Sequence, residues 1–298
     1  MRMHHTAPIC RPSKIHRPRL TPSLLPRIPY MKLAPALFAI ALLANGQTFV
    51  NNTEKKLTCD SNNRPTDRKR ACDLREQRFA TSGRITLNTH NGGIDVKGWT
   101  SNEVLVLARI EVWAPKDAPA PESYLPQIQI LTSGGQISSL EPTTKRNDTW
   151  FTISYEIFVP HQTSLNLKSH NGGLSVRDVK GELRFDTHNG GVNLTRIAGN
   201  VEGTTHNGGI NVDLDGARWD GQHLLLETNN GGVNLRLPES YSARLEMSTH
   251  NGSMKSDFPL TMSADLKKTK DMNFNLGSGG ALIRMKTHNG GVTLRKKT

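Results

Sequence analysis

The sequence predicts an all-β fold, a β-solenoid built from two-strand coils of about 18–23 residues with an antiparallel β insertion near its N-terminal end. Three observations predict it. The segment THNGG or a close variant occurs seven times, apolar and polar residues alternate on both sides of it, and glycine-containing corners such as RIAGNV separate successive copies. Stacked coils account for all three, since each coil repeats both strands and both corners. The alternative is a run of hairpins forming a twisted antiparallel sandwich.

Residues 1–46 are interpreted as a leader and signal peptide. The apolar run LAPALFAIALLA at 33–44 follows Lys32 and precedes NGQ, a pattern typical of a secretory signal that is cleaved before Gln47. Met31 is the candidate true start. The run is shorter than the ~20 residues of a membrane span, so we expect no stable span after cleavage. The prediction is export to the periplasm, the outer surface or the medium.

The positive charge of the chain is concentrated in this leader. The formal net charge is +12, but residues 1–46 carry seven basic residues and no acidic one, which leaves 31 basic and 26 acidic residues, or +5, in the remainder. A surface of this kind argues against a nucleic-acid partner.

Residues 47–80 are predicted to form a disulfide-clipped N-terminal segment. Cys59 and Cys72 are the only cysteines after the leader, and two cysteines in an exported chain most simply pair.

Residues 81–298 are predicted to form the β-repeat domain. Asn-Gly between two alternating runs is typical of a tight turn, because both residues accept positive φ. The seven motif asparagines are predicted structural turns, and the interval before the last one spans about two periods: Asn91, Asn171, Asn189, Asn207, Asn230, Asn251 and Asn289. Residues three positions after each asparagine are apolar and are predicted to face the core: Ile94, Leu174, Val192, Ile210, Val233, Met254 and Val292. The terminal VTLRKKT is predicted to guard an exposed sheet edge with its charges.

Residues 97–163 break the period. NEVLVLARIEVW and WFTISYEIFV are longer alternating strands, so the span is interpreted as an antiparallel insertion that packs on, or caps, the N-terminal end of the solenoid. We expect its aromatic residues to pack in the core rather than to form a stacking platform for a ligand.

The repeated NGG with flanking alternation, Gly98-Trp99 after the first unit and the two-cysteine N-terminus resemble the bacterial putative-adhesin family of exported β-strand-repeat proteins. The resemblance covers about residues 55–298. It implies an envelope or surface role without a known biochemical activity, and it carries no catalytic residues to transfer.

A histidine precedes six of the seven asparagines and is predicted to point outwards, while Thr or Ser one position earlier points inwards and bonds turn N–H groups or its own neighbours. Three interpretations compete. The histidines tolerate the turn and stack on one another, or they bind a metal, for which His170, His188 and His206 are weak candidates, or they form a pH-sensitive surface.

The sequence therefore predicts a non-enzymatic, exported adhesin or scaffold that binds an unknown surface, glycan or envelope protein through a repetitive face. The alternatives are a polysaccharide-acting enzyme on a β-helix scaffold and periplasmic metal binding through the histidine row. No catalytic or cofactor-binding residue is predicted, because no nucleophile, metalloprotease or P-loop motif occurs and Asp186 and Glu227 lie two coils apart.

Overall fold

The computed structural model describes residues 47–59, 67–143, 146–259 and 270–297, so the predicted leader and signal peptide lie outside the described residues. Among the described residues, no helix is both long and apolar enough to cross a membrane.

The first part of the chain forms seven strands and a 3-10 helix. They are β1 (Arg68–Ala80), β2 (Arg84–Asn91), β3 (Ile94–Trp99), β4 (Glu103–Pro115), the 3-10 helix (Pro121–Gln127), β5 (Gln129–Ser133), β6 (Gln136–Leu140) and β7 (Trp150–Pro160). Shorter strands follow: β8 (Ser164–Asn171), β9 (Leu174–Arg177), β10 (Lys180–Asn189), β11 (Val192–Thr195), β12 (Ala198–Asn207), β13 (Ile210–Asp213), β14 (His223–Asn230), β15 (Val233–Leu237), β16 (Ala243–Asn251), β17 (Met254–Ser256), β18 (Asp271–Leu276), β19 (Leu282–Asn289) and β20 (Val292–Lys296).

These strands form two open ten-stranded sheets. Sheet A has the order β1-β4-β7-β3-β9-β11-β13-β15-β20-β17, and sheet B has the order β18-β16-β19-β14-β12-β10-β8-β2-β6-β5. Each NGG corner joins a strand of sheet B to the next strand of sheet A, and we call such a pair a rung. In stack order the rungs are β2–β3, β8–β9, β10–β11, β12–β13, β14–β15, β19–β20 and β16–β17, numbered 1 to 7. The predicted β-solenoid is confirmed.

The rungs stack in parallel and in register. In sheet B each motif asparagine lies opposite the motif asparagine of the next rung, as in Asn91 with Asn171 and Asn189 with Asn207. In sheet A the same holds for the second strands, as in Val192 with Ile210. Register is fixed because a slip of one residue would turn every apolar side chain outwards.

The order of the rungs differs from the order of the sequence. The last rung in the chain, β19–β20, lies between rungs 5 and 7, and Asn289 pairs with both Asn230 and Asn251. The preceding interval holds β18, an antiparallel strand beside β16, so its interpretation as two solenoid periods was wrong. The expectation that VTLRKKT guards an exposed edge was also wrong, because β20 is paired on both sides.

The predicted antiparallel insertion is present at the N-terminal end. β4 pairs antiparallel with both β1 and β7, and β5 pairs antiparallel with β6. Two of its strands also extend the stack itself, because β7 pairs parallel with β3 and β6 pairs parallel with β2. Arg75 and Gln77 of β1 donate to the carbonyls of Leu125 and Ile130, which satisfies acceptors beside the outer strand of sheet B.

The core lies between the two sheets. All seven apolar residues three positions after the motif asparagines are at most 2% exposed. Burying one such aliphatic side chain stabilises the fold by about 1.5–3 kcal/mol. Large and small residues compensate across rungs: a Cβ on Gly203 would lie 2.0 Å from the ring of Phe185 in the rung below.

The corner geometry differs from the predicted tight turn, in which asparagine adopts positive φ. The motif asparagines are extended strand residues, and the only non-glycine residues with positive φ in the described chain are Asp178 and Arg196, at the other corners. The first glycine of NGG is needed because adjacent rungs approach closely: a Cβ on Gly190 would lie 2.1 Å from the carbonyl oxygen of Gly172. A corner that leads from one sheet into the other needs this clearance rather than a left-handed asparagine.

Residues 47–59 run across the side of the stack, and we call them the strap. Gln47 donates to the carbonyl of Ile197, and the strap ends at the predicted disulfide between Cys59 and Cys72, whose Cα atoms are 5.8 Å apart. A disulfide that closes a loop of this size stabilises by about 3 kcal/mol on the chain-entropy model.

Candidate functional site

The seven motif asparagines form one hydrogen-bonded ladder along the corner edge. Each side-chain amide donates to the amide oxygen of its neighbour at 2.8–2.9 Å, in the order Asn91, Asn171, Asn189, Asn207, Asn230, Asn289 and Asn251. We call this series the corner ladder. Hydrogen bonds between rungs therefore hold the asparagine side chains in place, and each bond contributes about 1 kcal/mol net.

The inward hydroxyls behave differently from the expectation. Instead of bonding turn N–H groups, five of the seven donate to the carbonyl of the first corner glycine in the rung before them, as in Thr205 to Gly190 at 3.0 Å and Thr228 to Gly208 at 2.8 Å. Thr187 donates to the hydroxyl of Thr205 at 2.7 Å, as expected. The corner carbonyls point into the stack, so the hydroxyls satisfy acceptors that would otherwise be buried without partners.

The histidines stack on the outer face of sheet B. The rings of His90, His170, His188 and His206 lie parallel, with centroids 4.7–4.9 Å apart. Asn229 interrupts the column, and His288 and His250 stack beyond it at 4.6 Å. All six side chains are exposed.

The nitrogens of the stacked rings do not converge on a common metal position. Two nitrogens bound to one zinc ion are at most about 4.2 Å apart, whereas corresponding atoms of parallel rings are separated by about their centroid distance, 4.7 Å for His170 and His188. Within the described ranges, no group of three or more His, Cys, Asp or Glu side chains is arranged to hold a metal ion. Metal binding by His170, His188 and His206 would require the rings to tilt out of the stack.

A groove runs along the outer face of sheet A. One hollow of about 370 Å³ lies over rungs 3 to 6, and another of about 400 Å³ lies over rungs 1 to 3; Asn193 lines both. Three outward asparagines form a second ladder on its floor, with Asn211 donating to Asn193 at 3.1 Å and Asn234 to Asn211 at 2.9 Å. We call these three residues the floor ladder.

Charged side chains line one side of the groove. Arg236 contacts Asp213 at 3.3 Å, and Lys297 reaches both Asp213 and Asp215. Arg295 lies beside Arg236 on the next strand and has no carboxylate partner among the described residues. The groove therefore presents an unneutralised guanidinium next to a weakly paired one.

The strap covers the other end of this face. Beneath it, Lys97 and Glu156 form an ion pair, each side chain 2% exposed, and the N–H groups of Lys56 and Leu57 donate to Glu156 at 2.8–3.0 Å. A buried pair with these extra hydrogen bonds has its charges satisfied only while the strap is in place.

Asp178 anchors the strap at the corner between rungs 2 and 3. It is fully buried and accepts hydrogen bonds from the Val50 N–H, the Asn52 amide and the Arg196 guanidinium at 2.6–2.9 Å. Burial alone would raise the pKa of Asp178, but these hydrogen bonds outweigh it and hold the pKa below its usual range.

A family model described as Toastrack DUF4097 matches residues 65–295 of the chain. The chain belongs to the Toastrack family. The resemblance to the putative-adhesin family of β-strand-repeat proteins is confirmed. No curated protein sequence is significantly similar to the chain.

Solved structures similar to this Toastrack chain include a putative cell adhesion protein from Clostridium sporogenes, with 9% identity, coverage of 76% of this chain and 100% of that chain, and a TM-score of 0.43. A putative adhesin from Bacteroides fragilis has 11% identity, 76% and 97% coverage and a TM-score of 0.30. A putative lipid binding protein from Parabacteroides distasonis has 9% identity, 76% and 97% coverage and a TM-score of 0.29.

The acids on the outer face of sheet B of the Toastrack domain do not converge. Asp186 and Glu227 occupy equivalent positions with Thr204 between them, in the register expected from the sequence. Sequence reasoning missed the Arg236 and Arg295 pair. Its signal was the position six residues after the motif asparagine, which holds arginine in both of these rungs.

Proposed function

We propose that this Toastrack protein is an exported, non-enzymatic binding protein of the cell envelope, and that an extended ligand lies along the groove of sheet A. The observation that supports this most directly is the floor ladder, formed by Asn193, Asn211 and Asn234. Its side chains are held by their neighbours and open to solvent, so they offer evenly spaced hydrogen-bonding groups at the rung spacing of about 4.8 Å.

Such an array suits a ligand that repeats as the protein does. Each contact with an exposed amide is weak, but contacts that are already fixed in position add together with little further loss of side-chain entropy. Export is supported by the Cys59–Cys72 disulfide, which is typical of oxidising compartments.

A binding role also fits the placement of the acids. Glycoside hydrolysis uses two carboxyl groups that flank one bond, at about 5–9.5 Å. In the groove, Asp95 is paired with Arg177 at 3.0 Å, and Asp213 is paired with Arg236 and Lys297 at the far end. The groove carboxylates thus serve as partners of the arginines.

The experiment is a binding screen with the mature chain, residues 47–298, against glycans, intact bacterial surfaces and envelope proteins. The test variant replaces the floor ladder (Asn193→Ala, Asn211→Ala, Asn234→Ala), and the control is Asn88→Ala, an exposed asparagine on the outer face of sheet B. We expect the floor variant to lose at least about tenfold in affinity, equivalent to about 1.4 kcal/mol, while the control binds as the wild type does. Binding to none of the three classes, or equal binding by both variants, would contradict the proposal.

Export is tested separately by fractionation and N-terminal sequencing of the protein from its own cells. The expected first residue of the exported form is Gln47. A full-length chain confined to the cytoplasm would overturn the proposed location.

A further inference from the structure

The two arginines of the groove form an arrangement that is unfavourable in the isolated protein. Arg236 of β15 and Arg295 of β20 are direct neighbours in the parallel register, and both are exposed on the outer face of sheet A. Like charges directly opposite on adjacent strands are destabilising. Asp213 neutralises only part of this charge, because it lies on β13, on the far side of Arg236, and also binds Lys297.

We propose that the groove binds an acidic polysaccharide, with its carboxylates on Arg295 and Arg236 and its hydroxyl groups on the floor ladder. This inference rests on the proposed binding function and specifies its ligand class. A guanidinium binds a carboxylate through two parallel hydrogen bonds, and here the ligand would also relieve the repulsion between the two arginines.

The floor ladder matches the hydroxyl groups of such a chain. An asparagine amide has two N–H donors and an oxygen with two lone pairs. In Asn211 one donor and one lone pair are used by the neighbouring rungs, so one of each remains for a ligand. A sugar hydroxyl both donates and accepts, and it can therefore bridge successive amides along the groove.

The composition of the groove favours a sugar chain over other polyanions. In the hollow over rungs 3 to 6, the apolar lining residues Leu194, Val212 and Leu235 are buried with their side chains in the core, so this part of the groove offers little apolar surface to a lipid chain. Proteins that bind single-stranded nucleic acid stack bases on aromatic side chains. Among the described residues, the only aromatic one that lines either hollow is Tyr155, which is 2% exposed.

We expect an extended ligand because the groove itself extends along the stack. The two hollows share Asn193 and together reach from Asp95 in rung 1 to Arg295 in rung 6. At the rung 1 end, Leu57 of the strap lines the wall together with Arg109. A chain bound by its carboxylates at rungs 5 and 6 would run along the stack towards the strap.

Binding is measured by calorimetry with polygalacturonate as the acidic polysaccharide, dextran as the neutral one and polyphosphate as a polyanion without sugar. The test variant is Arg236→Gln/Arg295→Gln. The control is Arg184→Gln/Arg284→Gln, which removes the same charge from the outer face of sheet B, where both arginines form exposed ion pairs. We expect polygalacturonate to bind the wild type, the Kd to rise at least about tenfold in the test variant, and the control to stay within about twofold.

Thermal unfolding supplies a readout that is independent of the ligand. Arg295→Gln removes a like-charge neighbour, so its Tm should equal or exceed that of the wild type. A lower Tm would assign Arg295 a structural role and overturn this part of the inference.

The ligand class is wrong if polyphosphate binds more tightly than polygalacturonate, if polygalacturonate does not bind, or if the test and control variants bind it equally. If dextran binds as well as polygalacturonate and is lost only with the floor ladder, the proposed binding function stands and this inference falls.

Discussion

The stack of rungs and the N-terminal end of the molecule are held together in different ways. Within the stack the same contacts repeat, namely the corner ladder, the hydroxyls on glycine carbonyls and the aligned apolar columns. At the N-terminal end and beneath the strap the contacts are unique, and the buried charged side chains of the described chain all lie there: Lys97, Glu111, Glu156 and Asp178. The stack thus rests on many small, equal contributions, and the N-terminal end depends on a few large ones.

Removing one partner of the buried ion pair should have the largest effect. Glu156→Gln leaves Lys97 charged and 2% exposed, which should lower the free energy of unfolding by about 3–5 kcal/mol. The measurement is urea unfolding with comparison of midpoints and slopes. Glu182→Gln, the same change in an exposed ion pair of the stack, should cost about 1 kcal/mol or less. If both variants lose the same free energy of unfolding, the two regions do not differ in how their charged side chains stabilise them.

A single methyl group should destabilise the stack at a corner where adjacent rungs approach closely. Gly190→Ala places Cβ against the carbonyl of Gly172 and should destabilise by about 3 kcal/mol. The matched control is the adjacent Gly191→Ala, whose Cβ would lie 3.6 Å from the nearest oxygen and should change stability by about 1 kcal/mol or less. If the two alanines behave alike in urea unfolding, close approach does not explain the first glycine.

The contribution of Asp178, which anchors the strap, to the free energy of unfolding should depend on pH. The pKa of Asp178 is lowered in the folded state, so its stabilisation is present above the unfolded pKa and is lost as pH falls through the folded one. Asp178→Asn should therefore cost about 2 kcal/mol at neutral pH, and the gap to the wild type should narrow below about pH 4. Asp186→Asn, at an exposed position, serves as the control in the same series of unfolding curves. If the difference in the free energy of unfolding between Asp178→Asn and the wild type is constant with pH, the charge of the carboxylate does not hold the strap.

The histidine column should give the smallest effect. The rings of His90, His170, His188 and His206 are exposed and stack with centroids 4.7–4.9 Å apart. Replacing all four by Gln should lower the free energy of unfolding by about 1 kcal/mol or less, because substitutions at exposed positions usually have small effects. The measurement is urea unfolding of both proteins. A loss as large as that of Glu156→Gln would mean that the column is a main support of the stack.

Much of the stack could be predicted because its physics is local. The alternation around THNGG fixed which side chains face the core, and Thr187 and His188 lie inwards and outwards as expected. The corner conformation could not be predicted in the same way, because Asn-Gly suits a hairpin and a sheet-to-sheet corner alike, and only contact between rungs decides between them.

Contacts between segments that are distant in the chain could not be predicted from the sequence. Nothing near Lys97 indicates that Glu156 and the backbone of residues 56–57 will meet it, since the three are brought together by the parallel pairing of β3 with β7. The placement of β19–β20 was equally hidden: its corner THNGG differs by only one residue from the TNNGG and THNGS corners of its neighbours, so the corner motif does not specify a position along the stack.

The out-of-order rung has a consequence for the order of folding during synthesis. Residues 282–296 are made after β16 and β17, yet they hold the only parallel partners that these two strands have among the described strands. β16 can pair with β18 beforehand, but rung 7 joins the stack only after residues 282–296 have been made. A chain truncated before residue 282 would lack rung 6, which lies between rungs 5 and 7, rather than the rung at the end of the stack. The strands of rungs 5 and 7 that face rung 6 would then have unpaired edges.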